Sequence, residues 1–435
     1  MAKNVVVIGA GVIGLCSAYY LAEQGHQVTL VDKDEPLSGR NCSMGNQGMI
    51  VPSHFVPLAA PGIISQGLLW MMNPSSPFYI RPRLSKELFS WLLRFYKSSN
   101  KQHVERSAPA IKAINSRSLE LFKNLNRQRI FDFAFEQKGL LLICKTGKCL
   151  EEEKEMTHAA GRLGLETVVL DKNGLRKQEP DIDIQAEGGV LYPGDAHLSP
   201  ALFVQALYEY LRRKPNVRFQ CGSPVVRFTV GEQGICSVQT QAGSIIQGDE
   251  FVLASGSASG QLVKQLDLPL PMESGKGYSL TVRQQEQRLA TPSILCEARV
   301  AITPLGNNEI RFGGTMELGG EAHTIRQSRL DGIIGSVSSY FPGYNTAVLE
   351  RCNAWSGLRP CPPDGLPYIG RFSRCPNLIA ATGHSMMGLS LAPATGEIVA
   401  AIVSGTQPVV DTAFFSPDRF DHSLKKEPQH LLIRT

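Results

Sequence analysis

The sequence lacks the features that mark several large classes of protein. Its 435 residues contain no CxxC pair, no run of five or six Lys and Arg residues, and no stretch of eighteen apolar residues. These absences argue against a CxxC metal or redox motif, a nucleic-acid-binding tail and a membrane-spanning helix. The start of the chain, MAKNVVVIGAG, also lacks the longer apolar core and the cleavage site of a signal peptide. We therefore expect a cytoplasmic protein with reduced cysteines, no metal ion and no nucleic-acid partner.

Length and charge narrow the remaining classes. A chain of 435 residues suits two lobes, each with its own core, better than one ordinary domain. Hydrophobic residues make up 43% of the chain and charged residues 19%, which is an ordinary globular balance. The net charge of +5 fits an anionic small substrate, an anionic cofactor or an anionic membrane surface equally well. Composition alone leaves these three partners open.

The first thirty residues have the pattern of a βαβ unit. The β-branched run at 4–8 predicts a buried strand, the apolar spacing over 12–24 predicts a helix, and 27–31 predict a second strand. The turn between the first strand and the helix is a glycine-rich motif whose residues are Gly9, Ala10, Gly11, Val12, Ile13 and Gly14. A motif in this position is typical of a dinucleotide site.

Each glycine of this motif has a separate task. Gly9 permits the tight turn, Gly11 lets the backbone approach a pyrophosphate, and Gly14 lets the helix pack closely on the strand. The helix N-terminus offers unpaired N–H groups and its positive dipole end to the phosphates. Asp32 follows the second strand, where an acid binds a ribose 2′-hydroxyl and argues against a 2′-phosphate, and Lys33 lies next to it. This motif does not choose between NAD and FAD.

A later strand favours FAD. Residues 243–256 contain an apolar strand that ends in Ala254, Ser255 and Gly256. Small residues at a strand end allow it to pass close beneath a dinucleotide. The segment resembles two-dinucleotide-binding-domain flavoproteins, in which a late strand ends as A-x-G beside the FAD. An ordinary strand end is the alternative.

Two C-terminal segments carry a family resemblance. Residues 355–370 read WSGLRPCPPDGLPYIG and residues 382–396 read TGHSMMGLSLAPATG. With the N-terminal motif, and with SMGNQG at 43–48, AAPG at 59–62 and KGYS at 276–279, they resemble the D-amino-acid oxidase superfamily. The resemblance is closest to the small subunit of bacterial D-amino-acid dehydrogenases and to glycine oxidase. It spans nearly the whole chain in order.

The resemblance implies an α/β fold with two domains. One is a Rossmann-like FAD-binding domain of the two-dinucleotide-binding-domain type, and the other is an α+β substrate domain built on an antiparallel sheet. The implied domains are discontinuous. We assign 1–82, 146–262 and 350–410 to the FAD-binding domain, 83–145 and 263–349 to the substrate domain, and 411–435 to a C-terminal tail.

The resemblance also implies roles for individual residues. Arg359 of the GLRP segment matches the arginine that grips the substrate carboxylate, a task that suits the planar guanidinium fork. Tyr278 is expected to add a hydrogen bond to that carboxylate, with a core or interface tyrosine as the alternative. His384, beside the flavin turn, and His54, in a proline-punctuated loop, are candidates for the pocket, and a structural role is the alternative for His54. FAD contacts beyond the N-terminal motif are expected from Ser43, Asn46, Gln47, Gly48, Val226, Ala254, Gly256, Gly357, Gly383, Gly388 and Leu389.

Two departures from the family pattern restrict the expectation. Glycine oxidase carries an Arg in the turn after its Gly-His pair, whereas here the turn reads Ser385, Met386, Met387, which weakens the case for glycine as substrate. Family members with covalent flavin use a Cys or His at particular positions. The C-terminal turn has no Cys and the 41–49 segment has no His. We therefore expect non-covalent FAD.

The expected reaction is FAD-dependent oxidation of a D-amino or cyclic imino acid, with D-proline or a hydroxy-D-proline preferred, by hydride transfer from Cα to the flavin. The alternatives are an FAD oxidase of glycine- or sarcosine-type amines that uses oxygen, an NAD-dependent dehydrogenase, and a flavin-binding scaffold without activity. The electron acceptor is a quinone, the respiratory chain or oxygen. Three roles are open for the apolar segment 52–82. It covers the pocket, it packs on its own protein as a loop, or it docks through 58–80 on the inner face of the membrane.

Overall fold

The computed structural model describes residues 1–71, 73, 75–81, 83–129, 131–232, 234–284, 286–319 and 324–421. The predicted C-terminal tail therefore lies within the described residues only as far as Asp421. The helices are α1 (Val12–Glu23), α2 (Ile63–Met71), α3 (Lys86–Ser98), α4 (Lys101–Arg127), α5 (Gly147–Arg162), α6 (Lys172–Gln178), α7 (Pro200–Leu211), α8 (Ser259–Val263), α9 (Gln327–Tyr340), α10 (Ala347–Glu350) and α11 (Gly388–Ser404).

The strands alternate with these helices in the first part of the chain and follow one another in the later part. They are β1 (Asn4–Ile8), β2 (Gln27–Val31), β3 (Met49–Ile50), β4 (Phe78–Ile80), β5 (Leu140–Cys144), β6 (Val168–Asp171), β7 (Gly188–Tyr192), β8 (Ala196–His197), β9 (Val217–Gln220), β10 (Val225–Gly231), β11 (Gly234–Thr240), β12 (Ile245–Gln247), β13 (Glu250–Leu253), β14 (Glu273–Arg283), β15 (Ser293–Leu295), β16 (Val300–Gly306), β17 (Glu309–Leu318), β18 (Ala354–Cys361), β19 (Tyr368–Phe372) and β20 (Cys375–Thr382).

A six-stranded sheet in the order β19-β20-β13-β1-β2-β9 carries the N-terminal motif. The pairs from β20 to β9 are parallel, and β19 is an antiparallel edge strand. The strand β1 is buried after its first residue, as expected for a strand covered on both faces. The helix α1 packs on α11, where a side chain at Gly396 would lie 2.6 Å from the backbone of Cys16. The predicted Rossmann-like fold is confirmed.

The second large sheet forms the other side of the molecule. Its order is β18-β14-β17-β16-β15-β5-β7-β6, and β4 pairs with β17. Most of its pairs are antiparallel, but β15 pairs parallel to β5 and β4 pairs parallel to β17. One face packs on α9 around a core that includes Tyr278, Phe312 and Val337. The predicted substrate domain on an antiparallel sheet is confirmed as an architecture.

The predicted domain limits do not follow these sheets. The strands β4, β6, β7 and β18 lie in ranges assigned to the FAD-binding domain, yet they are hydrogen-bonded into the second large sheet. The reason is that β4, β7 and β18 find their pairing partners, β17, β5 and β14, far away in sequence. We propose limits that place these four strands in the substrate domain.

The helical segment Ser385–Ser404 is long and apolar. Ser385–Ser404 has the length and composition of a membrane-spanning helix, which the sequence analysis missed, but 67% of its apolar window is buried inside the protein. Within it, α11 packs against α1 and α4. Its apolar character is therefore accounted for by its central place in the core.

Candidate active site

A cavity of about 1630 Å³ lies between the two large sheets. This exceeds the roughly 300–1,000 Å³ of a typical pocket for one small molecule, so it has room for a dinucleotide and a small substrate together. All residues that the sequence predicted for the site line this cavity, except Gly14 and Gly48. Those two glycines have structural tasks near it.

The turn before α1 fits closely against the neighbouring strand. Gly9 has a φ of +114°, and a side chain there would lie 2.4 Å from the carbonyl oxygen of Ala254. A side chain at Gly14 would lie 1.8 Å from the carbonyl oxygen of Gly9. Gly48, with a φ of +79°, would meet the carbonyl oxygen of Leu198 at 2.2 Å. These positions require glycine for backbone packing, which explains why Gly14 and Gly48 lie behind the cavity surface.

The N-terminus of α1 opens into the cavity. Its capping residue, Gly11, has no side chain to satisfy the first N–H groups, and the first turn contains no acidic residue. The N–H of Val12 donates to Ser43 Oγ at 3.0 Å, which ties the 43–48 loop to the helix end. Free N–H groups at a helix N-terminus form an anion site. The arrangement suits the pyrophosphate that the sequence predicted.

The predicted ribose-binding acid lies at the same end. Asp32 accepts hydrogen bonds from the N–H groups of Ala10, at 2.6 Å, and Asp34, at 3.0 Å. Its carboxylate lines the cavity and is fixed in place by these two bonds. Lys33 and the half-exposed Val226, on β10, line the same end.

The 43–48 loop is anchored by a residue that the sequence analysis missed. The guanidinium of Arg311, on β17, donates to the carbonyl oxygens of Met44 at 2.8 Å and Asn46 at 2.5 Å. Arg311 is 8% exposed, and burial lowers its pKa to about 10. The side chain of Gln47 lies over Gly313, where a Cβ would be 1.9 Å from Gln47 Nε2. The loop is therefore held from the second sheet, which no sequence pattern near 43–48 indicates.

Arg359 lies on the cavity face of β18. Its Nη1 donates to the carbonyl oxygen of Thr315 at 2.6 Å, and its guanidinium lies over Gly277, where a Cβ would be 2.1 Å from Nη2. Burial lowers the pKa of Arg359, with the thiols of Cys361 and Cys42 opposing that effect. Among the described residues, no carboxylate forms an ion pair with it. Because its charge lacks a counterion there, the Arg359 guanidinium can bind an anion that enters the cavity.

The structure corrects the prediction for Tyr278. In the register of β14 and β18, Gly277 lies opposite Gly357 and Tyr278 lies opposite Ser356. Opposed residues share a face and successive residues alternate, so Tyr278 points away from the face of Arg359. Its hydroxyl donates to Glu317 at 3.0 Å in the core, and burial raises its pKa. Tyr278 is 1% exposed and packs in the core of the second sheet, although it is also among the residues that line the cavity.

His54 lies in a chain of polar groups. Its Nδ1 is 3.3 Å from Ser53 Oγ, and the Ser53 hydroxyl donates to Asp195. Asp195 is 1% exposed, and burial raises its pKa to about 7. Burial, assisted by the charge of Arg299, lowers the pKa of His54 to about 4, so the imidazole is neutral at pH 7. The sequence predicted His54 as a candidate but gave no sign of Ser53 or Asp195 as its partners.

His384 belongs to the turn that begins α11. Its Nε2 lies 3.0 Å from Thr395 Oγ1, and burial lowers its pKa to about 3, which keeps it neutral. Gly383, Gly388 and Leu389 line the cavity around this turn, and α11 begins with no side-chain cap and no acidic residue in its first turn. A second uncapped helix N-terminus is therefore directed at the cavity.

The segment around α2 forms an apolar wall of the cavity. The residues of α2 that line the cavity recur at helical spacing, so one face of the helix turns inwards; they are Ile63, Ile64, Gly67, Trp70 and Met71. Phe55 and Phe78 line the same region. Met72, within the 58–80 stretch of the membrane-docking alternative, lies outside the described residues.

Comparison with known proteins identifies the family. The model of the DAO family, described as FAD dependent oxidoreductase, matches residues 4–402. The chain belongs to this family. It is 33% identical over 412 residues to a D-amino acid dehydrogenase of Methylobacterium radiotolerans, covering 94% of this chain and 97% of that protein. The predicted family, the FAD cofactor and the assignment as an oxidoreductase are thereby confirmed.

Two solved structures share the fold of this DAO-family chain. Glycine oxidase from Geobacillus kaustophilus is 21% identical, with a TM-score of 0.76, and the match covers 96% of this chain and 99% of that one. L-proline dehydrogenase from P. horikoshii is 20% identical, with a TM-score of 0.72, and the match covers 97% and 98% of the two chains. At these identities the likeness concerns the fold.

The described residues fit FAD. The N-termini of α1 and α11 offer two positive sites for the anionic parts of the cofactor. Gly9 lets the turn after β1 pack closely against the end of β13, which leaves a groove for the cofactor above them. Gly11, Ser43 and Asp32 would hold the pyrophosphate and ribose.

Trp355 also lines the cavity, although the sequence did not predict it as a site residue. A Cβ at Gly45 would be 2.2 Å from its indole, and a Cβ at Gly357 would be 2.1 Å from it. The ring therefore fills the space that these two glycines leave. The pattern of a tryptophan two residues before a strand glycine was the available signal for it.

Proposed function

We propose that this protein oxidises a D-amino acid or a cyclic imino acid, with D-proline or a hydroxy-D-proline as the preferred substrate. The observation that carries the proposal is the Arg359 guanidinium, which faces the cavity without a carboxylate partner among the described residues. A substrate carboxylate would supply the missing negative charge through paired hydrogen bonds. The named relatives, such as the D-amino acid dehydrogenase of Methylobacterium radiotolerans, support the same substrate class.

The shape of the cavity favours a substrate larger than glycine. Phe55, Trp70 and Phe78 provide an apolar wall that a methylene chain or a five-membered ring would cover. Glycine would leave this surface in contact with water, at a cost of roughly 25 cal/mol for each Å² not buried. We therefore rank cyclic and apolar substrates above glycine and sarcosine.

When bound, FAD would supply the acceptor for a hydride from the substrate Cα, and the residues of this chain would bind and orient the substrate. Arg359 fixes the carboxylate, which limits the rotation of the Cα–H bond. Because Ser53 donates its only hydrogen to Asp195, the hydrogen between His54 and Ser53 belongs to His54 Nδ1. His54 Nε2 is then an acceptor, and we assign it the hydrogen bond from the substrate amine. A neutral imidazole suits this role because its unprotonated Nε2 can accept a hydrogen bond from the neutral amine, whose lone pair forms the C=N bond as the hydride leaves Cα.

We propose that the segment 52–82 covers the pocket, in a cytoplasmic protein. Phe55, Trp70 and Phe78 line the cavity, whereas Leu69, at 74% exposure, is the large apolar side chain that the described part of 58–80 offers to a membrane. Either a quinone of the respiratory chain or oxygen then takes the electrons from the reduced protein. The proteins similar to this chain include both dehydrogenases and oxidases by name.

The test is anaerobic mixing of the purified yellow protein with D- and L-amino acids, both prolines and the hydroxyprolines included. The absorbance near ~450 nm reports the redox state of the cofactor. We expect D-substrates to bleach it, with cyclic imino acids fastest and L-isomers inactive. Admission of air, or addition of a soluble quinone, then identifies the acceptor by the return of colour. Failure of every amine to bleach the flavin would refute the proposal.

A further inference from the structure

We propose that Cys144, Cys149 and Cys296 form a binding site for one zinc ion, separate from the flavin chemistry. The three thiol sulfurs all lie within 4.8 Å of one another. The proposal does not depend on the substrate class assigned above, and it contradicts the expectation, drawn from sequence spacing, that the protein binds no metal.

Two of the three cysteines are placed by the pairing of two parallel strands. The register of β5 and β15 ends with Ile143 opposite Leu295, and the N–H of Cys296 donates to the carbonyl oxygen of Ile143 at 3.0 Å. Cys144 and Cys296 are therefore neighbours at the carboxyl ends of adjacent strands. Both side chains are buried. The 151 positions between them in sequence explain why no short motif reveals the pair.

The third cysteine comes from the first turn of α5. Thr146 caps this helix and accepts a hydrogen bond from the N–H of Cys149 at 3.3 Å, which fixes the turn above the two strands. Cys149 is half-buried. A helix N-terminus favours a thiolate over a thiol.

The distances suit a metal ion better than a disulfide. Zinc binds thiolates at about 2.3 Å, so tetrahedral geometry puts bound sulfurs roughly 3.8 Å apart. Sulfurs within 4.8 Å reach that spacing by movements of about 1 Å or less. A disulfide requires about 2.05 Å and joins only two sulfurs, which would leave the third thiol of this triangle without a partner.

The surroundings add an electrostatic argument. Glu153 lies one turn after Cys149 on α5, and Glu297 directly follows Cys296 in the chain. Carboxylates near the three sulfurs attract a cation, and a bound cation in turn deprotonates the thiols. Leu142 and Leu150 pack around the sulfurs and exclude water from the other sides.

The geometry leaves one coordination position open. Cys296 and Glu153 both line the large cavity, so a ligand from that side can complete a tetrahedral set of three sulfurs. Three protein ligands with an open fourth position are common for zinc. The site therefore has an entry path from the cavity, and the ion would join β5, β15 and α5.

The test uses the FAD-loaded protein, reduced with a phosphine, freed of metal with a chelator and dialysed against Zn²⁺. We expect one zinc per chain, and X-ray absorption at the zinc edge should report three sulfur ligands at about 2.3 Å. Zinc with fewer than three sulfur ligands, or a stoichiometry well below one, would overturn the proposal. A loss of two thiols on mild oxidation without zinc binding would instead identify a disulfide pair and would equally overturn it.

Matched serine variants give a second readout. Cys149→Ser removes a half-buried ligand and should weaken zinc binding by more than about 10-fold, since even outer-shell changes have effects of that size. Cys236→Ser changes an exposed thiol outside the cluster and should bind zinc as the unaltered protein does. Flavin content and melting temperature of the metal-free variants check that both fold. Equal zinc affinity in Cys149→Ser and Cys236→Ser would refute the assignment.

Discussion

Replacement of Arg359 by Met separates substrate binding from stability. The change keeps an unbranched side chain over Gly277 but removes the charge. Hydrogen bonds to charged groups contribute about 1.5–3 kcal/mol, so loss of the carboxylate contact should lower kcat/KM by roughly 10- to 150-fold. A substrate carboxylate left buried without a partner would push the effect towards the upper end of that range.

The same replacement should not destabilise the protein. Burial lowers the pKa of Arg359, and its hydrogen-bond partner among the described residues is the carbonyl oxygen of Thr315. Removal of such a charge relieves a desolvation cost, so the melting temperature should stay equal or rise. Arg311→Met is the matched control, because Arg311 is also buried but holds the carbonyl oxygens of Met44 and Asn46. That variant should lose stability and bind FAD more weakly.

The assay is anaerobic stopped-flow reduction of the flavin, run beside thermal unfolding followed by flavin fluorescence. Pyrrolidine, which has the ring of proline without the carboxylate, serves as the substrate control and should react slowly and equally with both proteins. If Arg359→Met reduced its flavin with D-proline as fast as the unaltered protein, the carboxylate assignment would be wrong. If it lost FAD or unfolded like Arg311→Met, the guanidinium would be a structural group.

Three further predictions test other parts of the site. Burial raises the folded pKa of Asp195 to about 7 from about 3.9, so its contribution to stability is complete below about pH 4 and is lost as the pH rises through 7. Asp195→Asn should flatten that fall in a series of melting temperatures between pH 5 and 8.5, and an unchanged slope would contradict the assignment. Gly277→Ala places a Cβ about 2.1 Å from Arg359 and should slow flavin reduction without loss of FAD, whereas Gly335→Ala, which meets nothing within 4 Å, should be silent. Acid precipitation should release the yellow colour into the supernatant, since we expect non-covalent FAD, and colour in the pellet would refute this.

The parts of the site that sequence predicted are those fixed by local geometry. The turn at Gly9, the packing of Gly14 and the place of Asp32 depend on thirty contiguous residues, so a motif describes them fully. Arg359 was found through a family resemblance that spans the chain. That no carboxylate of the described residues pairs with it, which supports its role, became visible only in three dimensions.

The parts that sequence missed depend on pairing between distant strands. The face of Tyr278 is set by the register of β14 against β18, and a shift of one residue along a strand reverses the face. Arg311 reaches a loop more than 260 residues away in sequence. The contact between Ser53 and Asp195 and the three-thiol cluster have the same origin. No local spacing encodes these contacts.

Glycines in the second sheet explain how the cavity face holds large side chains. Glycine in a strand lacks side-chain packing and often marks a close approach of another group. Here Gly277 underlies the guanidinium of Arg359, Gly313 underlies the amide of Gln47, and Gly357 lies against the indole of Trp355. In each case a single Cβ would come within about 2.2 Å of the functional side chain, closer than any real contact. The glycines of these strands therefore leave room for the side chains above them. The second sheet in this way determines where those side chains lie in the site.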